Sequence, residues 1–211
     1  MTDVKRSIPP ACKCYGQTPK NSSFIIHHSS LKKMSTLFLD RDGVINVRTI
    51  GDYVRSPEAF LPAEGLGEAM QLLSGLFDRI LIVTNQAGIG RGLMTESDLA
   101  AVHQKMANIV ESAGGRIDGI YYCPHAKDAG CPCRKPLTGM GWKAMADFPE
   151  TDFSNAWIVG DSASDMAFGK TLGMRTVLIR GKEEEAAELD AMAIDFRFDS
   201  LLHFARYMAG S

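Results

Sequence analysis

Residues Leu37-Phe38-Leu39-Asp40-Arg41-Asp42-Gly43-Val44 decide how this chain is read. A short apolar run ends abruptly in two carboxylates one residue apart, followed by glycine. Apolar residues in unbroken succession predict a strand buried on both faces of a parallel sheet. The carboxyl end of such a strand is the edge at which open α/β sheets bind ligands. Two acids packed there call for a compensating cation, so the pair points to a metal-dependent site. Alternation along an extended backbone is expected to aim Asp40 and Asp42 from different angles. One can then serve as a nucleophile toward phosphorus while the other assists.

Outward from this stretch, strands and helices alternate. The pattern predicts a helix over Ala63 to Leu76, a strand over Arg79 to Val83, and a helix from Thr95 to Ala113. Thr95 and Asp98 there make a capping-box pair. Further strands are expected at Gly119 to Tyr122, Trp157 to Val159 and Arg175 to Ile179, with a helix over Glu183 to Met192. Phe196, Phe198, Leu201 and Leu202 read as apolar packing against the core. Repeated β-α units of this length imply a parallel sheet with helices on both faces. Residues 1–34 mix Ser, Pro, Lys and Asn without periodicity and read as a disordered leader before one domain over 35–211. Met34 stands at that boundary as a candidate start. Cys12-Lys13-Cys14 and His27-His28 lack the spacing of a metal site.

Each strand ends in a polar cluster, so the clusters converge on one sheet edge. Thr84 and Asn85 offer a hydroxyl and an amide that hold phosphate oxygens without adding negative charge. Lys135 offers a point cation. Gly160-Asp161-Ser162-Ala163-Ser164-Asp165 adds carboxylates, of which Asp161 is the natural further Mg²⁺ ligand. A second cluster, Cys123-Pro124-His125 with Cys131-Pro132-Cys133, has the make-up of a closed Cys₃His Zn²⁺ shell, structural because no coordination position is left open. It would pin the loop that carries Arg134 and Lys135.

These motifs resemble the haloacid dehalogenase (HAD) superfamily of phosphohydrolases over Leu37 to Ile179. The resemblance implies a Rossmann-like three-layer sandwich with a central parallel sheet, here with a zinc-binding loop. It implies Asp40 as nucleophile, Asp42 as general acid and then base, and Mg²⁺ held by Asp40, the backbone carbonyl of Asp42, and Asp161. Arg41, Thr84, Asn85, Gln86, Arg134 and Lys135 become the phosphate- and substrate-binding set, and Asp165 is expected to orient Lys135 or the metal shell rather than ligate directly. Zinc ligands directly before Arg134-Lys135-Pro136 resemble two branches of the superfamily, the heptose-bisphosphate phosphatases and the histidinol-phosphate phosphatases. Thr84 to Gly92 and Asp118 to His125 look like the first branch. The short His125 to Cys131 spacer is closer to the second.

The spacing between Asp42 and Thr84 leaves room for a loop and a helix but no large cap domain, so loops at Asn46 to Tyr53, Gln86 to Arg91 and the zinc site should set specificity. A sugar bisphosphate needs a second cation, from Arg134, Arg91 or Arg48. Cationic histidinol would need acids such as Asp128 or Asp52. A catalytically silent, zinc-stabilised binding protein is the alternative of another class, and the retention of every catalytic position speaks against it.

The 211 residues carry a net charge of -2 and a charged fraction of 23%. That balance has no basic footprint for nucleic acid or an anionic membrane. No apolar run approaches the roughly 18 residues that span a bilayer. Three of the five cysteines cluster beside a histidine, as ligands rather than disulfides, which predicts a reducing, cytoplasmic setting. The chain is expected to act on a small phosphorylated metabolite as a monomer.

Overall fold

The computed structural model describes residues 15–17, 35–180 and 182–210. Its strands are β1 (Tyr15–Gln17), β2 (Thr36–Leu39), β3 (Arg79–Asn85), β4 (Gly119–Cys123), β5 (Ala156–Gly160), β6 (Arg175–Ile179) and β7 (Phe196–Phe198). The helices are α1 (Leu66–Leu76), α2 (Ala87–Gly90), α3 (Glu96–Ser112), α4 (Gly139–Asp147), α5 (Ala163–Leu172), α6 (Ala186–Ala191) and α7 (Leu201–Ala209). All seven strands share one sheet in the order β1-β4-β3-β2-β5-β6-β7. From β4 to β7 every pairing is parallel, and β1 pairs antiparallel to β4.

The alternating side-chain directions of the strands sort the core into two layers. Leu37, Leu39, Ile80, Ile82, Ile120 and Val159 face one side, with Met70 and Leu73 of α1, Val102 and Met106 of α3, and Phe204 of α7. Phe38, Leu81, Val83, Tyr121 and Ile158 face the other, against Met140 and Ala144 of α4 and Phe168 of α5. Each such buried side chain stabilises the fold by roughly 1.5–3 kcal/mol. The central strand is apolar from Leu37 to Leu39 because both of its faces are covered.

The sequence-predicted elements hold, with shifts at their ends. Helix α1 starts at Leu66 rather than Ala63 because Gly65 sits at a φ of 69°, which interrupts the helical turn. Thr95 and Asp98 form the expected reciprocal capping box. The Glu183 to Met192 segment is a short 3₁₀ turn followed by α6. Phe196–Phe198 is an edge strand, and Tyr15–Gln17 is a strand where no periodicity announced one. Three residues are too few for a periodic signal, and pairing to a preformed neighbour creates such strands. The rest of the leader reading, with Cys12, Cys14 and His27-His28, lies outside the described residues. Between β2 and β3 the chain provides one loop and α1, so no large cap covers the sheet edge. Among the described residues no helix is long and apolar enough to cross a membrane.

Candidate active site

Asp40 is the last residue held by the sheet, its N–H donating to the Val159 carbonyl at 2.9 Å. The chain then wraps into a tight turn, in which the Arg41 carbonyl accepts from Ile45 at 2.9 Å and Asn46 at 3.1 Å. This turn, not strand alternation, separates the directions of Asp40 and Asp42. Residues two apart on a straight strand would share a face, so that expectation is corrected. Gly43 completes the turn at a φ of 94°, and a Cβ there would collide with the Asp161 carboxylate.

Lys135 ties the site together. Its ammonium lies 2.8 Å from Asp40 Oδ1 and 2.5 Å from Asp165 Oδ1, and it donates to the Val83 carbonyl at 2.6 Å. Burial works against its charge, but Asp165 and Asp40 outweigh that and raise its pKa. Asp165 also accepts from the Ser162 N–H at 3.1 Å and the Ser162 hydroxyl at 2.5 Å. It is therefore committed to orienting Lys135. Asn85 uses its side chain to fasten the same segment. Its amide donates to the Lys135 carbonyl at 3.2 Å and accepts from the Lys135 N–H at 3.0 Å.

Asp42 sits in a cradle of donors. Arg41 Nη2 donates to its two oxygens at 3.0 and 2.9 Å, Asn46 Nδ2 at 3.0 Å, and Gln86 Nε2 at 3.0 Å. Burial tends to raise the Asp42 pKa, yet Arg41, Asn46 and Gln86 prevail and hold it below the ordinary carboxylate range. Two expectations are corrected here. The side chains of Arg41 and Gln86 are fully buried behind Asp42 and do not line the open site. They support a carboxylate, and the Gln86 amide also donates to Thr84 Oγ1 at 2.9 Å.

Asp40, Asp42, Thr84, Asn85, Arg134, Lys135 and Asp161 all line one cavity of about 510 Å³. Arg48, Lys127 and Lys182 add cations to its wall, and Tyr53, Glu185 and Glu188 complete the rim. Arg91 is exposed elsewhere, which removes it from the candidate second cations. Asp128 does not line the cavity; Asp52 does, and is paired with Arg55. Lys127 and Lys182 of the loops, Glu185 of the 3₁₀ turn and Glu188 of α6 were not singled out by the sequence, because no motif spacing marks them.

A divalent cation suits the acids. Oxygens of Asp40, Asp161 and Asp165 lie within 4.8 Å of one another. Asp161 Oδ1 is buried without a hydrogen-bond partner among the described residues. Burial, then the charges of Asp40 and Asp165, push Asp161 up to about 8. Burial is also the main reason that Asp40 rises to about 6, with Lys135 opposing it. Such mutual repulsion is relieved by a metal.

Cys123, His125, Cys131 and Cys133 also converge. The Cys123–Cys131 and Cys133–Cys131 sulfurs are 3.4 and 3.5 Å apart, and His125 Nδ1 lies 3.7 Å from Cys123 and 3.4 Å from Cys133. Four ligands about 2.3 Å from one centre stand about 3.7 Å apart at tetrahedral edges, so the cluster is compatible with zinc. The loop hangs on α2 through the Gly90 N–H to the Pro124 carbonyl at 2.8 Å, and on α4 through the Gly139 N–H to the Pro132 carbonyl at 3.0 Å.

Comparison with known proteins agrees with this geometry. A HAD-hydrolase-like family model matches residues 132–204. The D-glycero-beta-D-manno-heptose-1,7-bisphosphate 7-phosphatase of Pseudomonas putida is 37% identical over 174 residues, covering 82% of this chain and 98% of that protein. The D-glycero-alpha-D-manno-heptose-1,7-bisphosphate 7-phosphatase of Mycobacterium tuberculosis is 36% identical over 169 residues, covering 80% and 88%. The D,D-heptose 1,7-bisphosphate phosphatase of B. bronchiseptica, solved with magnesium and phosphate, superposes with a TM-score of 0.77 at 30% identity, covering 84% of this chain and 99% of that one. The strand-end acids, the lysine between them and relatives matched over nearly their whole length lead to one assignment: this chain belongs to the D-glycero-D-manno-heptose-1,7-bisphosphate 7-phosphatase family of the HAD superfamily.

Proposed function

We propose that the chain is a Mg²⁺-dependent phosphomonoesterase that removes the 7-phosphate of D-glycero-D-manno-heptose 1,7-bisphosphate. The observation that carries this reading is the Asp40 carboxylate at the mouth of the cavity, held 2.8 Å from the Lys135 ammonium. An Asp40 oxygen attacks phosphorus, the bond from phosphorus to the sugar oxygen breaks, and Asp42 gives that oxygen a proton. Asp42 is ionised at rest; the like charge of the arriving phosphate raises its pKa, so that it takes up from solvent the proton it then gives to the sugar oxygen. Water then attacks the aspartyl-phosphate, Asp42 takes its proton, and Asp40 and phosphate are regenerated. Mg²⁺, when held by Asp40, Asp161 and the Asp42 carbonyl, offsets the repulsion between carboxylate and phosphate. Lys135 contributes the same from the protein side. Thr84, which lines the same cavity, is assigned to the phosphate oxygens.

Arg134 is the favoured contact for the second phosphate. It follows the last zinc-loop cysteine directly, lines the cavity, and buries Nη1 without a hydrogen-bond partner among the described residues. Zn²⁺ in the Cys₃His cluster would hold that loop without taking part in chemistry. Phosphate release from the heptose bisphosphate and from L-histidinol phosphate, measured side by side with Mg²⁺, tests the assignment. A heptose preference of about a hundredfold, roughly 2.7 kcal/mol in transition-state binding, is expected. The reverse preference would replace the substrate, and inactivity on both would remove the catalytic reading.

A further inference from the structure

The mechanism leaves one buried titratable side chain without a task. His103 lies on α3 and is 2% exposed. Its Nε2 is 3.5 Å from Arg41 Nη1, on the far side of the guanidinium from Asp42. A guanidinium donates only, so Nε2 must be the acceptor and the ring neutral. Burial, reinforced by the Arg41 charge, pushes His103 down to about 3, with Asp42 opposing, which keeps the ring in that form. Its other face meets Tyr122 edge-on at 5.8 Å between ring centres.

Arg41 is thus gripped at both ends. Nε and Nη2 reach Asp42 at 2.9 to 3.2 Å, and Nη1 faces the imidazole. A fully buried guanidinium must place all its N–H groups. A second carboxylate in place of His103 would compete with Asp42 for the cation, whereas a neutral acceptor fixes the guanidinium and leaves the ion pair intact. We propose that His103 is a positioning residue for the phosphatase reaction, acting through Arg41 to hold Asp42 on the line along which it transfers its proton. The inference rests on the proton-transfer role given to Asp42 above.

The test uses the full chain with Mg²⁺ and two esters, the heptose bisphosphate and 4-nitrophenyl phosphate. The first has an alkoxide leaving group that needs a proton, and the second has a phenolate that leaves without one. His103→Met and His103→Phe remove the acceptor and keep an apolar body, so at least one is expected to fold as judged by its melting transition. In the folded variants kcat/KM should fall about tenfold for the sugar phosphate and less than about twofold for the aryl ester, since misplacing a proton donor forfeits part of its catalytic factor. His103→Gln, which restores an acceptor, should recover most of the loss. Equal losses on both esters, no loss on either, or no recovery by glutamine would overturn the proposal. Asp42→Asn run in parallel separates the two readings. If it loses the sugar-phosphate activity while the His103 variants keep theirs, only the positioning role falls. If it stays active, the proton-transfer role falls and the positioning role with it.

Discussion

Asp40 and Asp42 are two residues apart and sit in opposite electrostatic surroundings. Asp40 is buried beside other acids and is pushed up to about 6, so it gains from each nearby cation. Asp42 is wrapped by Arg41, Asn46 and Gln86 and is held low. Replacing Asp40 by Asn should cut phosphate release by at least about 10³-fold, because the amide cannot form the covalent intermediate. Substantial residual turnover would reassign the nucleophile. Lys135→Met would leave Asp165 as a buried charge deprived of its ammonium. Urea denaturation in EDTA should register a loss of about 3–5 kcal/mol, and a loss under about 1 kcal/mol would mean that these acids do not depend on the lysine.

At the scale of elements, the loop of Cys123 to Cys133 and the β6–β7 edge are each held by a few side chains. The loop carries Arg134 and Lys135 and is tied to its neighbours by few backbone hydrogen bonds. Cys131→Ser should lower bound zinc and the melting temperature together. Activity retained after full zinc loss would show that the loop holds its shape unaided. At the other edge, Asp195 accepts from the Thr176 N–H and hydroxyl at 2.7 Å each and from Lys170 at 3.0 Å. Partial burial acts to raise Asp195, but these bonds outweigh it and hold the group at about 2, below the ordinary 3.8. A depressed carboxylate stabilises above its unfolded pKa, and that stability drains away as pH falls through the folded value. Asp195→Asn should therefore be less stable at pH 7, with the difference closing between about 3.8 and about 2. A difference that persisted unchanged to pH 2 would remove the carboxylate as its cause.

For the whole molecule, metal binding and folding are linked. Asp161 is raised to about 8, so in the metal-free chain its contribution to stability declines as pH rises from about 3.8 toward 8. Mg²⁺ binds the ionised form and should raise the melting temperature more at pH 8 than at pH 6; at a hundred times its Kd the ion adds about 2.7 kcal/mol of stability. Asp161→Asn should abolish that shift. An unchanged shift would take Asp161 out of the metal site.

The local pattern of the chain was enough for the parallel sheet, the strand-end acids and the cluster of three cysteines and a histidine. Strands covered on both faces must be apolar, and the chemistry collects where they end, so both signals lie in short contiguous stretches such as Leu37 to Asp42. The capping box at Thr95 and Asp98 is legible for the same reason. Tertiary structure alone decided what the long side chains do. Arg41 and Gln86 stand within the motifs and read as substrate contacts, yet the turn after Asp40 sends Arg41 inward to Asp42, and Gln86 reaches the same carboxylate from the start of α2. His103 falls on the apolar face of α3 with Leu99, Val102 and Met106, a position that marks it as core, and only the packing of α3 against β2 and β4 brings it to Arg41. The cations of the cavity wall come from separate loops. Their meeting depends on contacts distant in sequence, which no local spacing encodes.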